Sequence, residues 1–234
     1  MRTVQGDLEA ALTELFDADA PVVSYAAGRT DAGVHALGQV MSVPETPDNA
    51  DLAKLRDSLN TMCGPHIAVQ ACARAAPDFH ARFSARSRTY VYAILQRDHP
   101  DPFLAGTTLY HPKPLDIHAI NEAAGHLLGP HDFISFGRVS EPDAPSERNL
   151  YELVCTRSGP IITIKARASS FIQQMVRSVV GILIQTGQGR RSPDEMPGIL
   201  AARRRDAAGP VAAAHGLCLV SVEYDTGWSD PEVV

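Results

Sequence analysis

The sequence predicts an α+β fold with mainly antiparallel sheets, and three observations carry that expectation. Apolar residues recur at helical spacing in some segments and alternate at strand spacing in others, with the two kinds interspersed. Residues 149–158 and 160–168 are strand-like runs joined at Ser158-Gly159-Pro160, a hairpin signal. A strongly apolar stretch, Phe171–Thr186, is followed by Gly187-Gln188-Gly189, which reads as a buried helix and its stop.

Taken in order, Val4, Leu8, Leu12, Leu15 and Phe16 predict an amphipathic helix over 4–16. Two apolar runs, Val22–Ala27 and Val40–Val43, predict strands around a loop punctuated by Gly28 and Gly33. Leu52, Leu55, Leu59 and Met62 place a second helix over 51–63 with Asp51 at its start. Strands are expected near 66–73 and 87–96. Residues 97–114 are proline-rich and aperiodic, and are expected to connect an N-terminal part (1–96) to a C-terminal part (97–234). The second part begins with a helix near 116–128, continues through the hairpin and the apolar helix, and ends with a helix near 193–205 and a strand near 217–224.

The chain has 234 residues, 44% of them hydrophobic, enough to bury a sizeable core. No stretch approaches the roughly 20 apolar residues of a membrane span, and the N-terminus carries no apolar h-region of a secretory signal. The four cysteines, Cys63, Cys72, Cys155 and Cys218, form no Cys-x-x-Cys pair and are expected to be reduced thiols of a cytoplasmic protein. Nine histidines show no metal-ligand spacing, so no metal is expected. A net charge of −6 argues against indiscriminate coating of nucleic acid. Positive charge is nevertheless clustered at Arg82, Arg86 and Arg88 beside Tyr90 and Tyr92, at Arg190-Arg191, and at Arg203–Arg205, the last read as a solvated helix end.

The residues richest in chemistry are 26–40, where Asp31 lies between Arg29 and Gly33 on a loop flanked by strands. A rigid scaffold commonly presents a reactive group this way. Gly-Arg-Thr-Asp-x-Gly-Val-His resembles the active-site loop of the tRNA pseudouridine synthase A (TruA) family. The likeness continues in order along the chain: Phe79-His80-Ala81-Arg82-Phe83-Ser84, Arg88-Thr89-Tyr90-Val91-Tyr92, Asp132-Phe133-Ile134-Ser135-Phe136, and Phe171 to Gly181 with Met175-Val176-Arg177.

The resemblance implies two similar α/β halves whose sheets form a central RNA-binding cleft. It implies isomerisation of uridine to pseudouridine at positions 38–40 of the tRNA anticodon stem-loop, without a cofactor, by a homodimer. Asp31 would be the catalytic nucleophile and Arg177 its partner. Tyr90 would pack on the target uracil. Arg29, His35 and Arg82 would contact RNA, with Arg86 and Arg88 helping to hold its backbone. In the family a strand, a tyrosine-aspartate loop and a Gly-Trp-x-x-Gln segment precede the first helix. Nothing here matches them, so the N-terminal sheet is expected to lack its first strand, with Met1 an internal methionine of a longer reading frame. The alternative is a truncated paralogue that binds tRNA without turnover. An unrelated hydrolase ranks last, because no nucleophile–base pair has persuasive spacing.

Overall fold

The computed structural model describes residues 2–44, 46–139 and 144–225, so Met1 lies outside the described residues. Its elements in chain order are α1 (Val4–Leu15), β1 (Tyr25–Ala26), β2 (His35–Ala36), β3 (Met41–Ser42), α2 (Leu52–Cys63), β4 (Ala85–Leu95) and β5 (Leu109–Tyr110). There follow α3 (Ile117–Gly125), β6 (Gly129–Asp132), β7 (Glu147–Ser158), β8 (Ile161–Ala168), α4 (Met175–Gly187), α5 (Met196–Ala202) and β9 (Leu217–Tyr224). The fold is α+β. The chain forms two compact units: residues 1–29, 40–85 and 224–234 make the first, and residues 30–39 and 86–223 the second.

In the first unit α1 and α2 pack on a small core of Leu8, Ala11, Leu12, Val22, Leu59 and Cys63. Thr3 caps α1 by accepting from the Gly6 N–H, and Asp51 caps α2 by accepting from Lys54 N–H at 3.1 Å. The pairing of β1 with β3 is antiparallel but only two residues long.

Two expected strands are shortened or absent here, for one physical reason. Side chains from the helices take up backbone groups that a ladder would otherwise use. Glu9 accepts from both the N–H and the hydroxyl of Ser24 at 2.9 and 2.8 Å, Gln5 donates to the Ser24 carbonyl, and Thr13 accepts from Val22 N–H. The run 22–27 therefore keeps only Tyr25–Ala26 as strand. Burial of Glu9 acts to raise its pKa, but the bonds from Gln5 and Ser24 outweigh it and leave the carboxyl below its ordinary value. The expected strand at 66–73 is not formed among the described residues. Asn60 instead clamps Val69 from both sides, its amide donating to the Val69 carbonyl at 2.9 Å and its carbonyl accepting the Val69 N–H at 2.6 Å.

The second unit is built on one seven-stranded sheet in the order β2-β9-β4-β8-β7-β6, with β5 beside β4. The β4–β8, β7–β8 and β6–β7 pairs are antiparallel, while β2–β9 and β4–β5 are parallel. The hairpin of β7 and β8 is as expected. The long strand β4 lies within this unit, as do residues 97–114, which include β5.

Helices α3 and α4 supply the apolar layer on this sheet. Tyr92, Ile94, Ile120, Leu127, Phe133, Phe136, Ile162, Ile164, Met175 and Ile182 are buried together. The α4 helix begins at Met175, four residues later than the apolar run suggests. Gln173 pairs with Arg138 in a short antiparallel bridge, and Gln174 turns through a left-handed conformation at φ 64°. The expected helix 193–205 breaks into a 3-10 turn at Pro193–Glu195, α5, and a further 3-10 turn at Arg205–Ala208, with Arg203 left-handed at φ 50° between the last two.

Candidate active site

Residues 30–39 belong to the second unit although both flanking segments belong to the first. The loop is held by its own turn and by the edge of the sheet. The Asp31 carbonyl accepts from Val34 N–H at 3.0 Å, and Gly33 takes φ +82°. His35 and Ala36 then pair in parallel with Cys218 and Leu219 of β9, and Leu37 N–H extends that attachment to the Leu219 carbonyl at 2.8 Å. The approach is close at Gly38. A Cβ there would stand 2.4 Å from the Val220 carbonyl oxygen, so only glycine lets the loop lie against β9.

Asp31 and Arg177 meet in this unit. Arg177 Nη1 donates to Asp31 Oδ2 at 2.6 Å, with the arginine side chain 16% and the aspartate side chain 22% exposed. Arg177 sits in the first turn of α4, where the helix dipole also favours an anion. Its Nε donates to the Ala212 carbonyl at 2.8 Å, and the Ala212 N–H returns a bond to the Arg177 carbonyl at 3.0 Å. The guanidinium is thus locked from two sides. Asp31 Oδ1 accepts no hydrogen bond among the described residues.

The 210–214 segment is a part of the site that sequence reasoning missed. It crosses directly over the α4 backbone at Gly181, where a Cβ would stand 2.1 Å from the Pro210 carbonyl oxygen. From that crossing it supplies the Ala212 carbonyl to Arg177 and the Ala213 carbonyl to the Tyr92 hydroxyl at 2.9 Å. Ala214 packs toward Gly33. These contributions come from backbone atoms of alanines, which leave no mark in residue type. Gly181 was the one legible signal.

Tyr90 and Tyr92 both point into the second unit's core, as their shared strand face requires. Tyr90 is 8% exposed and packs perpendicular to the Phe171 ring at a centroid separation of 5.2 Å. Burial pushes its phenol up to about 12; the Arg88 charge opposes this, and the charges of Asp31 and Cys218 add to it. Tyr92 is also pushed to about 12, by burial against the opposing charge of Arg177, but its hydroxyl is committed to Ala213.

The remaining expected contacts divide. His35 is exposed, and its Nε2 lies 2.8 Å from the Gly106 carbonyl, so that nitrogen carries a proton and ties the loop to residues 101–108. Arg29 and Arg82 are exposed and belong to the first unit. Arg88, expected at the RNA backbone, is instead buried at 7% exposure with Nη1 donating to the Ser169 carbonyl at 2.8 Å. It lies on an inward-facing stretch of β4. The Arg203–Arg205 knot is not simply solvated, since Arg203 pairs with Asp132 and Arg205 donates to the Gly209 carbonyl at 2.9 Å. All four cysteines are free thiols, and no group of histidine, cysteine and acidic side chains able to hold a metal occurs among the described residues. No helix there is long and apolar enough to cross a membrane.

Comparison with known proteins bears directly on this constellation. A family model described as tRNA pseudouridine synthase matches residues 123–225, which include Arg177 and the 210–214 segment. A protein of Moorella thermoacetica named tRNA pseudouridine synthase A is 41% identical over 222 residues, covering 95% of this chain and 89% of its own length. Proteins of the same name from Rhodopseudomonas palustris and Bordetella petrii are 45% and 42% identical, each over 95% of this chain and over 90% and 83% of their own lengths.

Proposed function

The chain belongs to the tRNA pseudouridine synthase A family, and on that premise we propose that it isomerises uridine to pseudouridine in tRNA, with Asp31 as the catalytic group. The observation that carries the assignment is the Asp31–Arg177 pair, a carboxylate fixed through one oxygen and open at the other. The reaction breaks the bond between uracil N1 and ribose C1′, rotates the base, forms a bond from C5 to C1′ and transfers the C5 proton away, leaving N1 protonated. Nothing is oxidised or reduced. Asp31 Oδ1 supplies the nucleophile or base that such a sequence requires.

Arg177 is the positioning partner, anchored by Ala212 so that it cannot follow the carboxylate away from the site. Tyr90 offers the uracil an aromatic edge. A phenol raised to about 12 stays protonated at neutral pH, so its hydroxyl serves as a donor rather than a ready base. Arg29 and Arg82 are proposed to engage the RNA, since a uridine must leave its stack to reach an enclosed carboxylate. His35, with Nε2 spent on Gly106, is proposed to shape the loop as well as to contact RNA.

Family membership extends the proposal to uridines 38–40 of the anticodon stem-loop, to two similar α/β halves, to a homodimer and to the cytoplasm. The test is incubation with unmodified tRNA transcripts followed by mapping of pseudouridine at single-nucleotide resolution. Product confined to the anticodon stem-loop is the expected result. Absence of product with wild-type protein would refute the assignment in favour of a tRNA binder without turnover.

A further inference from the structure

The first unit carries an exposed aromatic array that the chemistry at Asp31 does not use. The Tyr25 and His80 rings lie 4.7 Å apart between centroids, and the His80 and Phe83 rings 4.4 Å apart. The Arg82 guanidinium lies over the Phe83 ring at 5.5 Å. Phe83 is 75% exposed and Tyr25 42% exposed, so a large part of this π surface faces solvent.

The turn that presents these rings is rigidly built. Ser84 N–H donates to the His80 carbonyl at 2.9 Å, and the Ser84 hydroxyl accepts from His80 N–H at 3.0 Å. His80 Nδ1 accepts from Arg82 N–H at 3.1 Å, which places the neutral ring's proton on Nε2 and fixes its plane. Ala81 is fully buried, its N–H bonded to the Ser42 hydroxyl and its carbonyl to the Tyr224 hydroxyl at 2.8 Å. Phe79 packs on Tyr224 at 5.0 Å. Phe79 and Ala81 therefore anchor the turn, and Phe83 is not needed to hold it.

A phenylalanine kept in water on a rigid turn, flanked by a second ring and capped by a guanidinium, is the arrangement single-stranded nucleic acid uses. Bases stack on aromatic faces irrespective of sequence, and arginine adds cation–π and phosphate contacts. We propose that Phe83, with Tyr25, His80 and Arg82, forms a stacking platform for an unpaired base of the RNA substrate. This rests on the tRNA reading above and assigns to the first unit an RNA contact made through a base face rather than through phosphate alone.

Binding of an unmodified tRNA transcript to the full chain, measured by filter retention over a salt series, tests the platform. Phe83→Leu keeps apolar bulk but loses the π face; it is expected to weaken binding about tenfold with an unchanged salt slope. Phe83→Tyr is expected to bind within about twofold of wild type, the π face being preserved. Arg82→Gln should instead flatten the salt slope by about one unit. If wild type modifies tRNA but Phe83→Leu binds as tightly as wild type, or Phe83→Tyr binds as weakly as Phe83→Leu, the platform is overturned and the enzymatic assignment stands. If wild type neither binds nor modifies tRNA, that assignment falls and the platform with it. A Phe83→Leu protein with intact RNA binding but an altered elution volume would assign the ring to a protein contact and overturn the proposal.

Discussion

Arg177 reaches Asp31 across 146 residues of sequence and binds it at 2.6 Å, and the same guanidinium is bonded at Nε to the Ala212 carbonyl. Three separate stretches of chain therefore converge on one arginine. Its planar fork suits two acceptors in fixed directions, which a lysine ammonium does not reproduce. Asp31→Asn keeps the shape of the group but removes the anion. Its expected phenotype is loss of pseudouridine formation by at least about three orders of magnitude with tRNA affinity preserved. Single-turnover assays with saturating enzyme separate these two quantities, and residual product near the wild-type rate would remove Asp31 from the chemistry.

Arg177→Lys retains charge but abandons either Ala212 or Asp31. The expected cost is about 1–3 kcal/mol of stability, read from urea unfolding, because the buried Ala212 carbonyl or the partly buried Asp31 carboxylate loses its donor. Turnover should fall further than stability alone explains. A Lys variant with wild-type turnover would mean that charge, and not the fixed fork, is what Asp31 requires.

Gly181 is the support beneath that geometry. With Pro210 already in contact, Gly181→Val forces residues 210–214 away from α4 and withdraws Ala212 from Arg177. Overpacking of this kind costs about 1–3 kcal/mol or more. Activity is expected to fall together with thermal stability, whereas a valine accommodated with neither change would show that the segment is free to shift.

Alkaline pH should destabilise the second unit in a defined window. Burial pushes the Tyr90 and Tyr92 phenols up to about 12 from their ordinary 10.0, and the Cys155 thiol up to about 11 from 9.0. Between the unfolded and folded values the unfolded chain has lost protons that the folded chain keeps. Stability is thus fully present below pH about 9 and is lost as pH rises toward 12, by about 1.4 kcal/mol per pH unit for each group while it differs between states. Tyr92→Phe removes the hydroxyl's bond to Ala213 but should also shallow the decline by one group's share. Urea unfolding at pH 8 to 11.5 measures both, and a flat profile would contradict the burial of these phenols.

Asn60 offers a test confined to the first unit. Replacing it with alanine leaves both backbone groups of Val69 without their partner, at an expected cost of about 1–3 kcal/mol. Hydrogen exchange at Val69 should accelerate sharply in the variant. Unchanged protection would mean that Val69 finds another partner.

Local pattern alone determines much of this protein. Helical spacing located α1 and α2, with Asp51 at the start of α2, because an amphipathic helix must turn one face inward and cap its own first turn. The β7–β8 hairpin and the α+β class followed from period-2 runs and a Ser-Gly-Pro turn. The family resemblance paired Asp31 with Arg177, and the two are bonded at 2.6 Å. What tertiary structure alone decided is where backbone polar groups find partners. Asn60 took both backbone groups of Val69, Glu9 took the N–H of Ser24, and Gln173 bridged to Arg138 ahead of α4. The attachment of residues 30–39 to β9 and the alanine carbonyls that hold Arg177 and Tyr92 belong to the same class. Side-chain pattern reports which face of an element is buried. The partner of a given N–H or carbonyl depends on chain brought near from far along the sequence, and every residue type except proline offers the same two groups for that purpose.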